Sequence, residues 1–88
     1  HNVDNMRATF ANCYSLKQLD LSWMNYQNIK DIAVCFTWCS SMKVLKIPNL
    51  YLSPDAEIKD VFEFCNEIDN LEINDTRLRN LYDRRKKI

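Results

Sequence analysis

The sequence repeats every 26 residues, and that period limits what the chain can fold into more than any single residue does. Phe10, Phe36 and Phe62 recur at this step, as do Cys13, Cys39 and Cys65. Leu16, Met42 and Ile68 follow the same step, then Leu19, Leu45 and Leu71, then Leu21, Ile47 and Ile73. Met6, Ile32 and Ile58 form a sixth column, and Tyr26, Leu52 and Leu78 a seventh. Seven apolar columns kept in register without insertion describe an array of small units, none able to bury its apolar face alone. Arrays of this kind mostly bind or scaffold.

The spacing inside one repeat changes character. Met6, Phe10 and Cys13 stand four and three residues apart, the spacing of one helical face, with Thr9, Cys35 and Val61 flanking that stripe. Leu19 and Leu21 then stand two apart, as in a strand with one buried face, and Leu45/Ile47 and Leu71/Ile73 do the same. Each unit therefore reads as a short helix, a turn and a strand, with a return loop carrying Tyr26, Leu52 or Leu78. Asn28 or Gln27 marks the second helix start, and Ser53-Pro54 the third, with Ser as cap and Pro at the first helical position. The expected architecture is a right-handed α/β solenoid. It has three 26-residue helix-turn-strand units, a parallel sheet on the concave side and helices on the convex side. The whole chain, 1–88, reads as one domain with units at about 2–27, 28–53 and 54–79. Residues 80–88 are a cap or a truncated fourth unit: Arg84 takes the slot of Met6, Ile32 and Ile58, although Ile88 falls on the phenylalanine column. Asn2-Val3-Asp4-Asn5-Met6 aligns with Asn28-Ile29-Lys30-Asp31-Ile32, so the chain opens mid-repeat and is expected to be part of a longer protein.

Glycine is absent. Asparagine is the residue expected to supply left-handed backbone instead, at Asn12, Asn25, Asn49, Asn66 and Asn74. Twelve basic and twelve acidic residues balance to zero net charge, which removes the bulk attraction expected of a nucleic-acid binder. No apolar run reaches the ~18 residues needed to span a bilayer, so membrane insertion is not expected.

The run Phe10-Ala11-Asn12-Cys13-Tyr14-Ser15-Leu16-Lys17-Gln18-Leu19-Asp20-Leu21 resembles the BspA-type leucine-rich repeat of bacterial surface and protist proteins. That pattern reads roughly Asn-Met-x-x-x-Phe-x-x-Cys-x-Ser-Leu-x-x-Leu-x-Leu, and the resemblance covers about residues 2–79. It implies a leucine-rich-repeat horseshoe, frequent display at the cell surface or secretion, and adhesion to other proteins. The third repeat departs from it, with Glu67-Ile68-Asp69-Asn70 in place of Ser-Leu and Ser53-Pro54-Asp55 at its start.

Chemistry-bearing patterns are sparse. Cys13, Cys39 and Cys65 follow the repeat rather than a ligand spacing and read as packing residues. Cys35 and Cys39 stand four apart, but no second pair accompanies them and the one histidine is the terminal His1. No catalytic residue, metal site or cofactor is expected, and the chain does not read as an enzyme. The run Asp83-Arg84-Arg85-Lys86-Lys87 reads as a solvated terminal helix.

The sheet face is the candidate binding surface. With Leu19 and Leu21 inward, Gln18, Asp20 and Ser22 face out, followed by Val44, Lys46 and Pro48, then Asn70, Glu72 and Asn74. Asp20, Lys46 and Glu72 would form a ladder of alternating charge across adjacent strands. Trp23 and Tyr51, expected on the loops adjoining the sheet, occupy columns that tolerate polar residues, and Trp38 shares a column with Asn12 and Phe64. The expected site is Gln18, Asp20, Trp23, Val44, Lys46, Tyr51, Asn70 and Glu72. The expected function is non-catalytic binding of a protein partner, in adhesion or recognition. The alternative is a structural segment of a larger, intracellular scaffold. The oligomeric state is open.

Overall fold

The computed structural model describes residues 4–85. His1, the opening alignment through Asn2 and Val3, the end of the charge run at Lys86 and Lys87, and Ile88 lie outside the described residues. Five short strands and one helix follow in the order β1 (Gln18–Asp20), β2 (Tyr26–Asp31), β3 (Val44–Ile47), β4 (Leu50–Glu57), β5 (Asn70–Ile73) and α1 (Thr76–Arg85). They form two parallel sheets, β1-β3-β5 and β2-β4, closed at one end by α1.

The expected leucine-rich-repeat solenoid of three helix-turn-strand units is not what forms. The stripes Met6/Phe10/Cys13, Ile32/Phe36/Cys39 and Ile58/Phe62/Cys65 lie in runs of consecutive turns, not in helices. The reason is where the backbone donors go. A helix would bond each N–H to the carbonyl four residues back. Here the N–H groups of Ala8, Phe10 and Asn12 instead donate sideways to the carbonyls of Ala33, Cys35 and Thr37, at 3.1, 3.0 and 2.8 Å. Val34, Phe36 and Trp38 donate in the same way to Lys59, Val61 and Glu63, at 2.9, 3.1 and 3.0 Å. The intervening N–H groups close tight turns three residues back, as in Thr9 to Met6, Cys35 to Ile32 and Cys65 to Phe62. Successive turns bring residues i, i+4 and i+7 inward just as a helix does, so the spacing alone does not separate the two.

Each run requires left-handed residues, and the expected asparagines mostly do not supply them. Positive φ falls on Ala8 (57°), Val34 (50°) and Asp60 (56°), and on Asn12 (65°), Trp38 (64°) and Phe64 (58°), besides Asn28 (61°). Of the five asparagines named above, only Asn12 is left-handed. Ala8, Val34, Trp38 and Phe64 hold side chains whose Cβ crowds the backbone there, at a cost of roughly 1–2 kcal/mol each, whereas Asn28 and Asp60 tolerate it. Lateral hydrogen bonds fix Ala8, Val34 and Trp38 in spite of that cost, and Phe64 stacks on Trp38.

The return loops are also more ordered than expected. Tyr26 and Leu52 sit in β2 and β4, paired in parallel with two register shifts. Ser53 and Pro54, read as a helix start, are inside β4, where the Ser53 hydroxyl donates to Asp55 Oδ1 at 3.1 Å. Leu78, from the same column, is instead buried in α1. That helix begins at Thr76, earlier than the cap placed at residue 80, because Asp75 caps it. Asp75 Oδ1 accepts the N–H groups of Arg77 (2.8 Å) and Leu78 (3.2 Å).

The core is the set of repeat columns. Phe10, Phe36 and Phe62 stack with ring centroids 5.8 and 6.1 Å apart, and Tyr82 of α1 meets Phe62 edge-on at 6.0 Å. Leu45 is fully buried between Leu19 and Leu71, its register partners on either side. Met24, Ile29 and Leu50 are buried as well, outside the seven columns named above, although Met24 and Leu50 are themselves one repeat step apart.

Candidate functional site

The register of β1, β3 and β5 assembles most of the expected face. Gln18, Val44 and Asn70 lie in one row across the three strands, and Asp20, Lys46 and Glu72 in the next. The alternation holds: Leu19, Leu45 and Leu71 pack inward, while the six facing residues are exposed or half-buried.

The charge ladder is only half closed. Lys46 Nζ lies 3.6 Å from a Glu72 carboxylate oxygen, an exposed pair contributing ~0–1 kcal/mol. Asp20 turns to its own strand end instead, where its Oδ1 accepts the Ser22 hydroxyl at 2.5 Å and the Ser22 N–H at 2.9 Å. Those two Ser22 bonds, with the Lys46 charge a lesser contributor, hold the Asp20 carboxyl below its usual range. The face therefore presents an Asp20 that stays ionised, beside a bridged lysine.

The two aromatic side chains assigned to the face part company. Trp23 follows β1 and is 72% exposed, the most open large apolar side chain among the described residues. It borders a cavity of about 290 Å³ lined also by Met6, Phe10, Leu21 and Met24. Tyr51 stands on β4 of the second sheet, not on a loop beside the first.

A second exposed aromatic group stands on the turn runs. Trp38 and Phe64 stack face to face, centroids 4.1 Å apart and planes 16° from parallel, each on a left-handed backbone position. Tyr14 is exposed, and its hydroxyl lies 3.3 Å from Asn12 Oδ1, so the Asn12–Trp38–Phe64 column carries a polar and aromatic ridge. The signal was present in the sequence, because a column that accepts Asn, Trp and Phe alike is not a core column.

Three of the four thiols are held in the protonated form by burial. All four cysteines are free; Cys35, Cys39 and Cys65 are buried and Cys13 is half-buried. Burial pushes the Cys35 and Cys65 thiols up to about 12 and raises Cys39 as well, so these groups carry no thiolate near neutral pH. The Cys39 thiol lies 3.1 Å from the Phe10 carbonyl and the Cys65 thiol 3.5 Å from that of Cys39, extending the lateral bonding of the turn runs. Among the described residues, no group of three or more His, Cys, Asp or Glu side chains is placed to hold a metal. None of the described helices is long and apolar enough to cross a membrane.

Comparison of the chain with family models, with characterised proteins and with solved structures returns no match. The resemblance to BspA-type repeats rests on the sequence pattern Phe-x-x-Cys-x-x-Leu-x-x-Leu-x-Leu alone.

Proposed function

We propose that the protein is a non-catalytic binding module that holds a protein partner on the β1-β3-β5 face. The observation that carries this reading is Trp23, 72% exposed at the border of that sheet. A tryptophan left in water on the turn that leaves a strand is a usual anchor of a protein contact, because its large ring is desolvated on binding. Beside it, Gln18 and Asn70 in one row and Asp20, Lys46 and Glu72 in the next offer polar groups held by strand register, which suits the polar rim of an interface. Adhesion or partner recognition is the role such a face serves.

The test is a photo-crosslinking side chain at position 23, used to capture the partner, followed by affinity measurement with folded variants. Trp23→Ala and Lys46→Glu should each weaken binding by about tenfold or more, the range of an interface anchor. Lys59→Glu, on the turn runs, should leave it unchanged. A partner that is lost with Lys59→Glu and retained with Lys46→Glu places binding on the turn-run side and refutes the assignment.

A further inference from the structure

We infer that the cavity between the last turn run and α1 is a second binding site, one that takes a short peptide segment bearing an aromatic side chain. The inference stands on a row of backbone donors. In the first two turn runs, alternate N–H groups all donate to carbonyls of the next run: Ala8, Phe10 and Asn12, then Val34, Phe36 and Trp38. The equivalent groups of the last run are the N–H groups of Asp60, Phe62 and Phe64, and they meet no acceptor among the described residues. All three residues line a cavity of about 370 Å³ whose far wall is Leu81, Arg84 and Arg85 of α1. Arg85 adds a fourth unmet donor, its Nε being buried with no hydrogen-bond partner among the described residues. Phe64 is 47% exposed; one of its faces is covered by Trp38, which leaves the other to stack a ring as Phe64 itself stacks on Trp38.

The ligand class follows from these groups. A row of aligned N–H donors at the edge of a ladder is a template for main-chain carbonyls of another segment. The two internal steps of the ladder show the fit, with N···O distances from 2.8 to 3.1 Å. An inorganic anion suits the site less well, because the carboxylates of Asp60 and Glu63 line the same cavity as the arginines. A second copy of the whole fold is too large, since α1 forms the opposite wall. A single peptide segment with neutral carbonyls and one aromatic ring meets every requirement.

The probe is the acetylated, amidated hexapeptide with the sequence of residues 59–64, whose own carbonyls fill this role against the middle run. Amide exchange of the free protein should be fast at Asp60, Phe62 and Phe64 and slow at Val34, Phe36 and Trp38. Peptide should slow exchange at the first three and shift their amide resonances. Replacing the last peptide phenylalanine by alanine should weaken binding by about fivefold or more, the scale of one aromatic stack. Phe64→Asn should do the same from the protein side; Asn12 already occupies the equivalent left-handed position, so that variant keeps the fold. The inference is overturned if the three amides are already protected, because the protein then fills the site itself. It is also overturned if peptide at millimolar concentration shifts none of them, or if a scrambled hexapeptide binds as well.

Discussion

The two ends of the β1-β3-β5 sheet bury the same sequence columns to different depths. At the β1 end, Phe10 and Cys13 are only half-buried, and a cavity opens beside Met6, Leu21 and Trp23. At the β5 end their counterparts Phe62 and Cys65 are buried, because α1 lies over them. The helix also closes polar groups there. The Tyr82 hydroxyl and Arg85 Nη2 both donate to the Ile68 carbonyl, at 2.8 and 3.4 Å, and Arg79 Nη2 reaches Leu71 O at 3.0 Å. Arg77 Nη1 reaches the carbonyls of Ser53 and Pro54 at 2.9 and 3.1 Å. Long arginine side chains thus satisfy carbonyls over which the helix backbone provides no ladder. Closure is partial, since Leu71 and Ile73 stay half-buried. Burial therefore varies along a column with the place in the order of repeats, and not always in one direction, since Met6 and Leu21 are buried while Ile58 and Ile73 are half-buried.

The largest expected effect tests that statement directly. Phe36→Ala, in the fully buried middle, should cost ~3–5 kcal/mol, and Leu45→Ala ~2–5 kcal/mol. Phe10→Ala removes the same group from a half-buried site and should cost about half as much as Phe36→Ala, since less apolar area returns to water. Denaturant midpoints of the three variants decide it. Equal losses at positions 10 and 36 would abolish the contrast between end and middle.

The helical end is sharpened by two changes of about 1 kcal/mol. Tyr82→Phe strips the hydroxyl from the buried Ile68 carbonyl, at ~0.5–1.5 kcal/mol. Asp75→Ala removes the helix cap, also at ~1 kcal/mol. Both should raise the alkylation rate of Cys65 while leaving Cys13 unaffected, because only Cys65 lies under α1. Faster labelling of Cys13 instead would mean that the two ends are coupled as one unit.

Backbone strain gives a change of opposite sign. Ala8→Gly, at an exposed residue with φ of 57°, should stabilise by about 1 kcal/mol, because glycine has no Cβ to crowd a left-handed backbone. Ala56→Gly, within β4, should destabilise by about 0.5–1 kcal/mol. If thermal unfolding shows both to be destabilising, the left-handed assignment at residue 8 is wrong.

The smallest effects are those of pH. Desolvation raises the Asp31 carboxyl, but the hydrogen bonds from Arg7 and the Ala33 N–H outweigh it and the net shift is downward. Asp20 is also held low. A carboxyl lowered on folding adds stability that is present above its unfolded value, 3.8 here, and is lost as pH falls through the folded value. Asp31→Asn should flatten that acid limb. The thiols act in the other direction: raised from 9.0 to about 12, Cys35 and Cys65 support the fold fully below pH 9, and that support fades as pH rises toward 12. Urea titrations at several pH values check both limbs, and an acid limb unchanged in Asp31→Asn would remove Asp31 from the account.

Much of the candidate face was legible because strand register and repeat period coincide. Once Leu19, Leu45 and Leu71 are aligned, the positions of Gln18, Asp20, Val44, Lys46, Asn70 and Glu72 follow from the two-residue alternation of a strand. The pairing of Asp20 was not legible, because its choice of Ser22 over Lys46 is a matter of short local geometry. Tyr51 was misplaced for a related reason: the second sheet is irregular, with two register shifts, and leaves no clean alternation in the sequence.

The sequence by itself determined which residues share a column, hence the parallel order β1-β3-β5 and the phenylalanine stack. Apolar spacing records which side chains face inward, and that is conserved between a helix and a run of turns. Only the tertiary structure decided between the two, because the choice rests on whether N–H groups bond along the chain or across to the next repeat. That lateral bonding exists only once neighbouring runs are in place, and it is what holds Val34 and Trp38 in a left-handed backbone that their side chains alone would refuse.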